Sequence, residues 1–579
     1  MSTKINKTIK WVKDFSLSHL LTLSPSHLLT LSPSHLLTLS LFASALLLTS
    51  CSDKMDYKEF KYDDAEYMKV KFERAGGFIT TMYSKLDYDF GNNYSGAMLA
   101  SATDEAVYSQ SGNAIESFYN GAWSPANANG SLWTTCYEGI SYANMFLDEF
   151  NNLTFDDYKL DINYREEMHQ YNNFQYEARF LRAYFYFLLV RQYGGVPLKT
   201  TDMDAAEANN LPRATADEIF KFIDDECVAI KDTIIEDYAN LGKMALSISE
   251  TGRANNLAVL ALRARAALYH ASPLFNPSND QSLWKAAAQA NLELINACKA
   301  RKFTLSSDYA GLFQGQTNWK DAKAIAEIIF ARRVLSASNS FEKYNFPVGM
   351  SGAGAGGQGG NCPTQNLVEA YEDGDLRLAA TVAKNGEMWP NANTQPLETF
   401  TGGVNGLPNV NATPTSYYLK KYVDGTTQIA GNGENSFYHV WVTFRLAEFY
   451  LNYAEALLNL SDKSGFTMTA AQAINTVRKR AGLADLTDAE ATLEACKKER
   501  FVELAFEGHR FFDVRRWKEG DKYFKTIYGL EITKTGDDTF TETKKVVQTR
   551  LWEDKMNLFP IPQSEILKAG SLDQNDGWK

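Results

Sequence analysis

An all-α fold built from tetratricopeptide-like helix pairs is the architecture this chain predicts. Apolar residues recur at helical spacing in one block after another. Several blocks open on capping boxes and close on Gly or Pro. Small residues (Ala261, Ala264, Ala266, Ala267, Ala454, Ala456, Ala471 and Ala473) sit inside them, where they let paired helices approach closely. Pairs of about 34 residues with that texture suggest tetratricopeptide-like hairpins, although the repeat motif itself is poorly kept.

Residues 1–50 read as a leader. Lys4, Lys7, Lys10 and Lys13 give it a positive start, and Leu36 to Leu48 give an apolar run too short to span a bilayer once cleaved. The run ends in Leu48-Thr49-Ser50-Cys51. Small residues followed by one cysteine are the layout of a bacterial lipoprotein signal, in which Cys51 is acylated and becomes the first mature residue. The alternatives are a secreted protein cut nearby and a retained anchor helix. Within the leader, Ser18 to Pro25 recurs from Ser26 to Pro33 and from Ser34 to Ser40. That period is too short for a stacked repeat, whose units run about 20–50 residues, and reads as tandem duplication. It takes His19, His27 and His35 out of any metal site.

Residues 51–62 are polar and read as a lipidated tether. Residues 174–192 place Ala178, Leu181, Phe185 and Leu188 on one helical stripe, stopped by Gly194-Gly195 and Pro197. Thr215 to Glu218 form a capping box opening a helix to about Tyr238. Further helices are expected over 252–271, 283–300, 440–460 and 468–481. Thr487 to Glu490 form a second capping box, expected to open a long helix to about Trp517. Between the helical blocks lie long loops over 91–131, 303–320 and 336–436, and loops of that length are usually functional or disordered.

Composition narrows the function. The chain has 579 residues, is 45% hydrophobic and 22% charged, and carries a net charge of −12. It is globular, and an acidic surface argues against nucleic acid and against an electrostatic grip on anionic lipid. Attachment would come from acyl chains, of which more than one is needed for stable anchoring. Cys136, Cys227, Cys298, Cys362 and Cys496 form no CxxC pair, so buried free thiols are expected rather than a zinc ribbon or disulfide framework. His169, His270, His439 and His509 are scattered, and no metal or cofactor site is expected. Glu372-Asp373-Gly374-Asp375 lacks calcium-loop spacing and reads as a solvated turn. The glycine-rich 349–360 run lacks a Gly-Lys-Ser/Thr ending and reads as a mobile loop bordering a binding face. Arg179, Arg182, Glu499, Arg500 and Glu503 read as charges paired along helices at three and four spacing.

Four stretches then carry a resemblance. They are Glu177 to Tyr186 with Tyr193 to Leu198; Leu446 to Ala456 with Ile474 to Leu483; Glu499 to Trp517; and Leu558 to Ile566 with the Gln574-Asn575 and Gly577-Trp578 ending. Together they resemble the SusD/RagB family, in order and over nearly the whole mature chain. The resemblance implies about four tetratricopeptide-like helix pairs forming a scaffold under a loop-rich binding face. It implies a non-enzymatic, surface-exposed outer-membrane lipoprotein that binds oligosaccharide or polysaccharide and works with a SusC-like TonB-dependent transporter. A SusD-like N-terminal part is expected over 63–240 and a SusD/RagB part over 241–579, forming one compact unit. The alternatives are a surface glycoside hydrolase and a scaffold that stabilises the transporter without binding glycan.

Ligand contact is expected from loop aromatics, because a flat ring covers a sugar's C–H face while polar neighbours bond its hydroxyl rim. Trp123 is the first choice, Trp319 with Asn318 the second, followed by Tyr108, Tyr344 and Trp389. The 91–131 and 303–390 loops are expected to converge on one face. Trp133, Tyr137, Trp284, Trp441, Trp517 and Trp578 read as scaffold.

Overall fold

The computed structural model describes residues 65–238, 252–314, 326–334, 336–350, 356–390 and 396–579. Cys51, the leader, Asn318 and Trp319 lie outside them. Lys71–Lys579 cluster as one compact unit. Its helices include α1 (Phe72–Ser84), α2 (Trp133–Glu149), α3 (Tyr164–Tyr193), α4 (Ala216–Ile230), α5 (Asn256–Ala271), α6 (Gln281–Ala300), α7 (Ser340–Asn345), α8 (Leu446–Asn459), α9 (Ala470–Arg480), α10 (Leu493–Glu503), α11 (Arg510–Arg516) and α12 (Gln563–Lys568). Each long helix packs on the next, α2 on α3, then α4, α5, α6, α8 and α9, with α10 against α8 and α9. The array reads as four pairs: α2/α3, α4/α5, α6/α8 and α9/α10.

Sequence explains this packing locally. Thr215 and Glu218 form the capping box of α4, and Thr469 with Gln472 forms that of α9. Ala261, Ala264 and Ala454 are fully buried at helix contacts. Gly139 of α2 meets Phe185 of α3, where an added Cβ would stand 2.3 Å from the ring. Every residue of α3 from Phe180 to Val190 is buried. The predicted stripe is therefore one side of a helix that is central and covered all round.

Three expected helices are cut, the first being α4, which ends at Ile230 rather than near Tyr238. Val440–Arg445 forms a strand, β6 below, and α8 begins only at Leu446. The β-branched and aromatic run Val-Trp-Val-Thr-Phe suits a pleated surface better than a helix. The long C-terminal helix is α10 and α11, interrupted where Phe506 and Gly508 take positive φ. The Thr487–Glu490 box forms its reciprocal bonds but closes a turn, while Thr492 caps α10.

The strands are paired and short: β1 (Ala106–Tyr108) with β3 (Asn361–Pro363), β2 (Ile328–Arg333) with β6 (Val440–Arg445), and β4 (Val382–Ala383) with β5 (Tyr418–Leu419). A longer hairpin, β7 (Thr526–Lys534) and β8 (Phe540–Thr549), leaves most of β8 exposed. The loop-rich region is thus an insertion between the two helices of the third pair, α6 and α8, joined by the segment between α1 and α2.

The helix charges pair across helices rather than along them. Arg179 and Arg182 of α3 share Glu226 of α4. Glu503 of α10 binds Arg377, Arg445 and Arg480, and Glu499 binds Arg377 and Arg478. Arg500 pairs with Asp513. Burial alone would raise the Glu503 carboxyl, but the Arg480, Arg445 and Arg377 guanidinium groups hold it far below the usual range. The Glu372–Asp375 turn is correspondingly not free. Asp375 is buried on Arg377, and Glu372 binds Arg478. Cys136, Cys227, Cys298, Cys362 and Cys496 are buried free thiols, as composition suggested.

Candidate functional site

The two loop segments do meet. Tyr108 of β1 lies opposite Asn361 of β3, and Ser109 N–H donates to the Gly360 carbonyl at 2.9 Å. Asn361 pins the junction. Its Oδ1 accepts from Met98 N–H at 2.7 Å and from the Ser101 hydroxyl at 2.8 Å. Its Nδ2 donates to the Gly96 carbonyl at 3.0 Å and to Asn345 Oδ1 at 2.8 Å. A fully buried amide satisfied on four sides holds the 96–101 loop, β3 and α7 in one geometry. Sequence reasoning missed it, because an asparagine after a glycine run looks like any loop residue.

Burial corrects three of the candidate rings. Trp123 is 3% exposed. It packs edge-on to Phe118, Phe559 and Trp578, and its indole N–H donates to the Asn129 carbonyl at 3.2 Å. Its small neighbours do not bury it; the chain's C-terminal segment does. Trp389 is 3% exposed in the hydrophobic core beside Phe346. Tyr108 is 5% exposed, with its hydroxyl donated to the Ser95 carbonyl and its ionisation pushed up by burial. None of the three has a free face for a sugar. Trp133, Trp284, Trp441, Trp517 and Trp578 are buried, in keeping with scaffold roles.

Tyr344 stays accessible. It sits on α7, half-buried, over Gly96, where a Cβ would come within 2.5 Å of its ring. Glycine at 96, with φ of +101°, is what lets the ring and the loop lie together. The segments that meet beside this ring carry amides and charges. Asn92 and Asn93 are exposed, and Gln110 Nε2 donates to Gln358 Oε1 at 3.1 Å. Lys343 pairs with Glu434 at 2.6 Å. The adjoining segment is tied to Ser338 by a bridge at Phe437, and it presents Tyr438, 56% exposed, which sequence reasoning also missed. The glycine run is not uniformly loose: Gly357, Gly359 and Gly360 lie against Phe346, Asn411 and Asn345. Residues 351–355 lie outside the described part.

Beneath the loops, Tyr88, Asn93, Trp441 and His509 line a cavity of about 60 Å³. It could hold a few waters and is far smaller than the roughly 300–1,000 Å³ of a ligand cleft. Among the described residues, no cluster of His, Cys, Asp and Glu could hold a metal, and no helix is long and apolar enough to cross a membrane.

Comparison with known proteins adds two profile matches. Residues 59–268 match the family profile described as starch-binding associating with outer membrane, and residues 326–578 match the SusD family profile. The SusD-like protein P2 of Formosa agariphila is 24% identical over 466 residues, covering 77% of this chain and 80% of that protein. A solved SusD-like protein of Bacteroides fragilis superposes with a TM-score of 0.70 at 23% identity, covering 89% of this chain and 98% of that one. A SusD-like carbohydrate-binding protein of the same species gives 0.68 at 22% identity, covering 87% and 100%. With two profile matches that together take in both helical blocks and most of the loop insertion, and with this shared helical fold, the chain is a member of the SusD/RagB family.

Proposed function

We propose that this protein binds a glycan on the face built around Tyr344 and passes oligosaccharide to a SusC-like TonB-dependent transporter, without cleaving it. The observation that carries the reading is the β1–β3 junction. It joins two distant loop segments and leaves Tyr344 accessible near side-chain amides, the combination that suits a sugar's C–H face and hydroxyl rim. Family membership supports the ligand class, since one matching profile is described as starch-binding and one solved relative as carbohydrate-binding. The same profile's outer-membrane description supports a surface lipoprotein held by Cys51. Glu499, Glu503 and Glu507 are buried and bound to cations, which suits framework roles rather than a hydrolytic pair.

Two experiments test this. A polysaccharide panel identifies a ligand and checks for new reducing ends. Calorimetry then compares Tyr344→Ala and Tyr438→Ala with the parent, after circular dichroism shows each folded. Loss of a central ring should cost about 2 kcal/mol or more, roughly a thirtyfold drop in affinity. If both variants bind like the parent, the face is wrong, and Trp319 is the next ring to test. Separately, Cys51→Ala should release the protein from the outer-membrane fraction; unchanged membrane association would overturn the anchor.

A further inference from the structure

A second groove shares no lining residue with the Tyr344 face. It runs between α2, the Pro197–Leu211 segment and α12, with a volume of about 560 Å³, inside the range of ligand clefts. One stripe of α2 forms its floor. Trp133, Tyr137 and Tyr142 supply rings, while Thr134, Glu138 and Ser141 supply polar groups between them. Trp133 is 6% exposed and packs 5.1 Å from Tyr137, whose hydroxyl is fixed on the Pro197 carbonyl at 2.8 Å. Tyr142 is half-buried. A floor of fixed rings interleaved with hydroxyls suits a saccharide.

The charge pattern narrows the ligand. Lys199 lines this groove and is 7% exposed. Its ammonium reaches only the Ser141 hydroxyl at 3.2 Å and the Met203 carbonyl at 3.4 Å. No carboxylate pairs with it among the described residues. The groove's own carboxylates are already paired with other cations, Glu138 with Lys85 at 2.5 Å and Glu565 with Lys568, which also lines the groove, at 2.8 Å. A buried ammonium without a counter-charge is costly, and an anion entering the groove would supply one.

We propose that this groove is a second saccharide site, one that takes an anionic sugar unit with its ring over Tyr137 and Tyr142 and its carboxylate or sulfate on Lys199. The site shares no residue with the Tyr344 face, so the two readings stand or fall separately.

The test is calorimetry on the mature protein with four probes of similar length: an oligogalacturonide, a sulfated galacto-oligosaccharide, a neutral gluco-oligosaccharide and oligoglutamate. Lys199→Met keeps most of the side chain's length and removes its charge. Tyr142→Ala removes a half-buried ring with less risk to folding, and Lys221→Met, an exposed lysine on α4, is the control. At least one anionic saccharide should bind the parent. Its affinity should fall tenfold or more in Lys199→Met and severalfold in Tyr142→Ala, and hold in Lys221→Met. Whether the uronide or the sulfated probe binds identifies the anion. The proposal is overturned if neither binds, if oligoglutamate or the neutral probe binds as well as the better anionic sugar, or if Lys221→Met weakens binding as much as Lys199→Met. Should Lys199→Met fail to fold, unchanged affinity in Tyr142→Ala overturns it.

Discussion

Two glycines in neighbouring helices should respond in opposite directions to the same substitution. Gly77 in α1 is exposed, and a Cβ there would meet nothing within 4 Å. Gly139 in α2 is buried, and its Cβ would stand 2.3 Å from Phe185 Cε2 and 2.7 Å from two more ring atoms. Alanine gains up to about 1 kcal/mol of helix propensity over glycine at either position. At Gly77 nothing opposes that gain, so Gly77→Ala should stabilise by roughly 0.5–1 kcal/mol. At Gly139 the ring must retreat by more than about 1 Å to reach ordinary carbon contact at about 3.5–4.0 Å. Phe185 is fully buried, so it has no free space to retreat into. Overpacking of this kind costs about 1–3 kcal/mol, and the tight contact places Gly139→Ala toward the upper end. The net expectation is a loss of about 1–2 kcal/mol. Urea unfolding of the mature protein reads both, provided the slope is unchanged. If Gly139→Ala is neutral or stabilising, the close approach of α2 to α3 does not depend on glycine and the packing argument fails.

Arg377→Met should destabilise by about 3–5 kcal/mol, because it strips the shared cation from buried Asp375, Glu499 and Glu503; a change below about 1 kcal/mol in urea unfolding would refute that role. Stability should peak near pH 4–5. Burial would raise the Glu455 carboxyl, but Arg516 and Arg500 bring it down to about 2, so its contribution is lost as pH falls from the ordinary glutamate value toward 2. Burial instead pushes Asp89 up to about 7 and, helped by Asp104, Glu105 up to about 8, so their contribution is present at low pH and lost as pH rises to those values. Melting temperatures from pH 2 to 9 check both limbs. Glu105→Gln should flatten the alkaline one, and a parent that stabilises steadily from pH 5 to 8 would contradict the assignment.

Much of the helical scaffold was legible because its signals are local. A capping box needs two residues three apart, and the Thr215–Glu218 box opens a helix as read. Where the same kind of local signal met a tertiary demand, it lost. The Thr487–Glu490 box closes only a turn, and the chain beyond α10 breaks at Phe506 and Gly508 instead of running on. Helical spacing of Arg and Glu likewise suggested pairing along one helix. Sequence distance could not reveal that Arg377, on a short helix over Leu376–Thr381, and Arg445, at a strand end, would sit against Glu503.

The face was legible as a region but not as a set of residues, and the reason is geometric. Two polar, aromatic-bearing insertions on a scaffold that does not need them are visible in sequence, and they meet through β1 and β3. Whether a ring within them is a platform or a plug depends on which distant segment covers it. Trp123 looked exposed because its neighbours are small, yet Phe559 and Trp578 arrive from the far end of the chain to bury it. Trp133 and Tyr137 were read as packing because they keep helical spacing. Burial bears that out for Trp133, but the same stripe of α2 also floors the groove beside α12. Periodicity reports that one side of a helix is covered and does not report what covers it. On α2 one side meets α3, while the Trp133–Tyr142 stripe is left to a groove and to a lysine that no carboxylate pairs among the described residues, and that difference arises only when the Pro197–Leu211 segment and α12 fold back beside it.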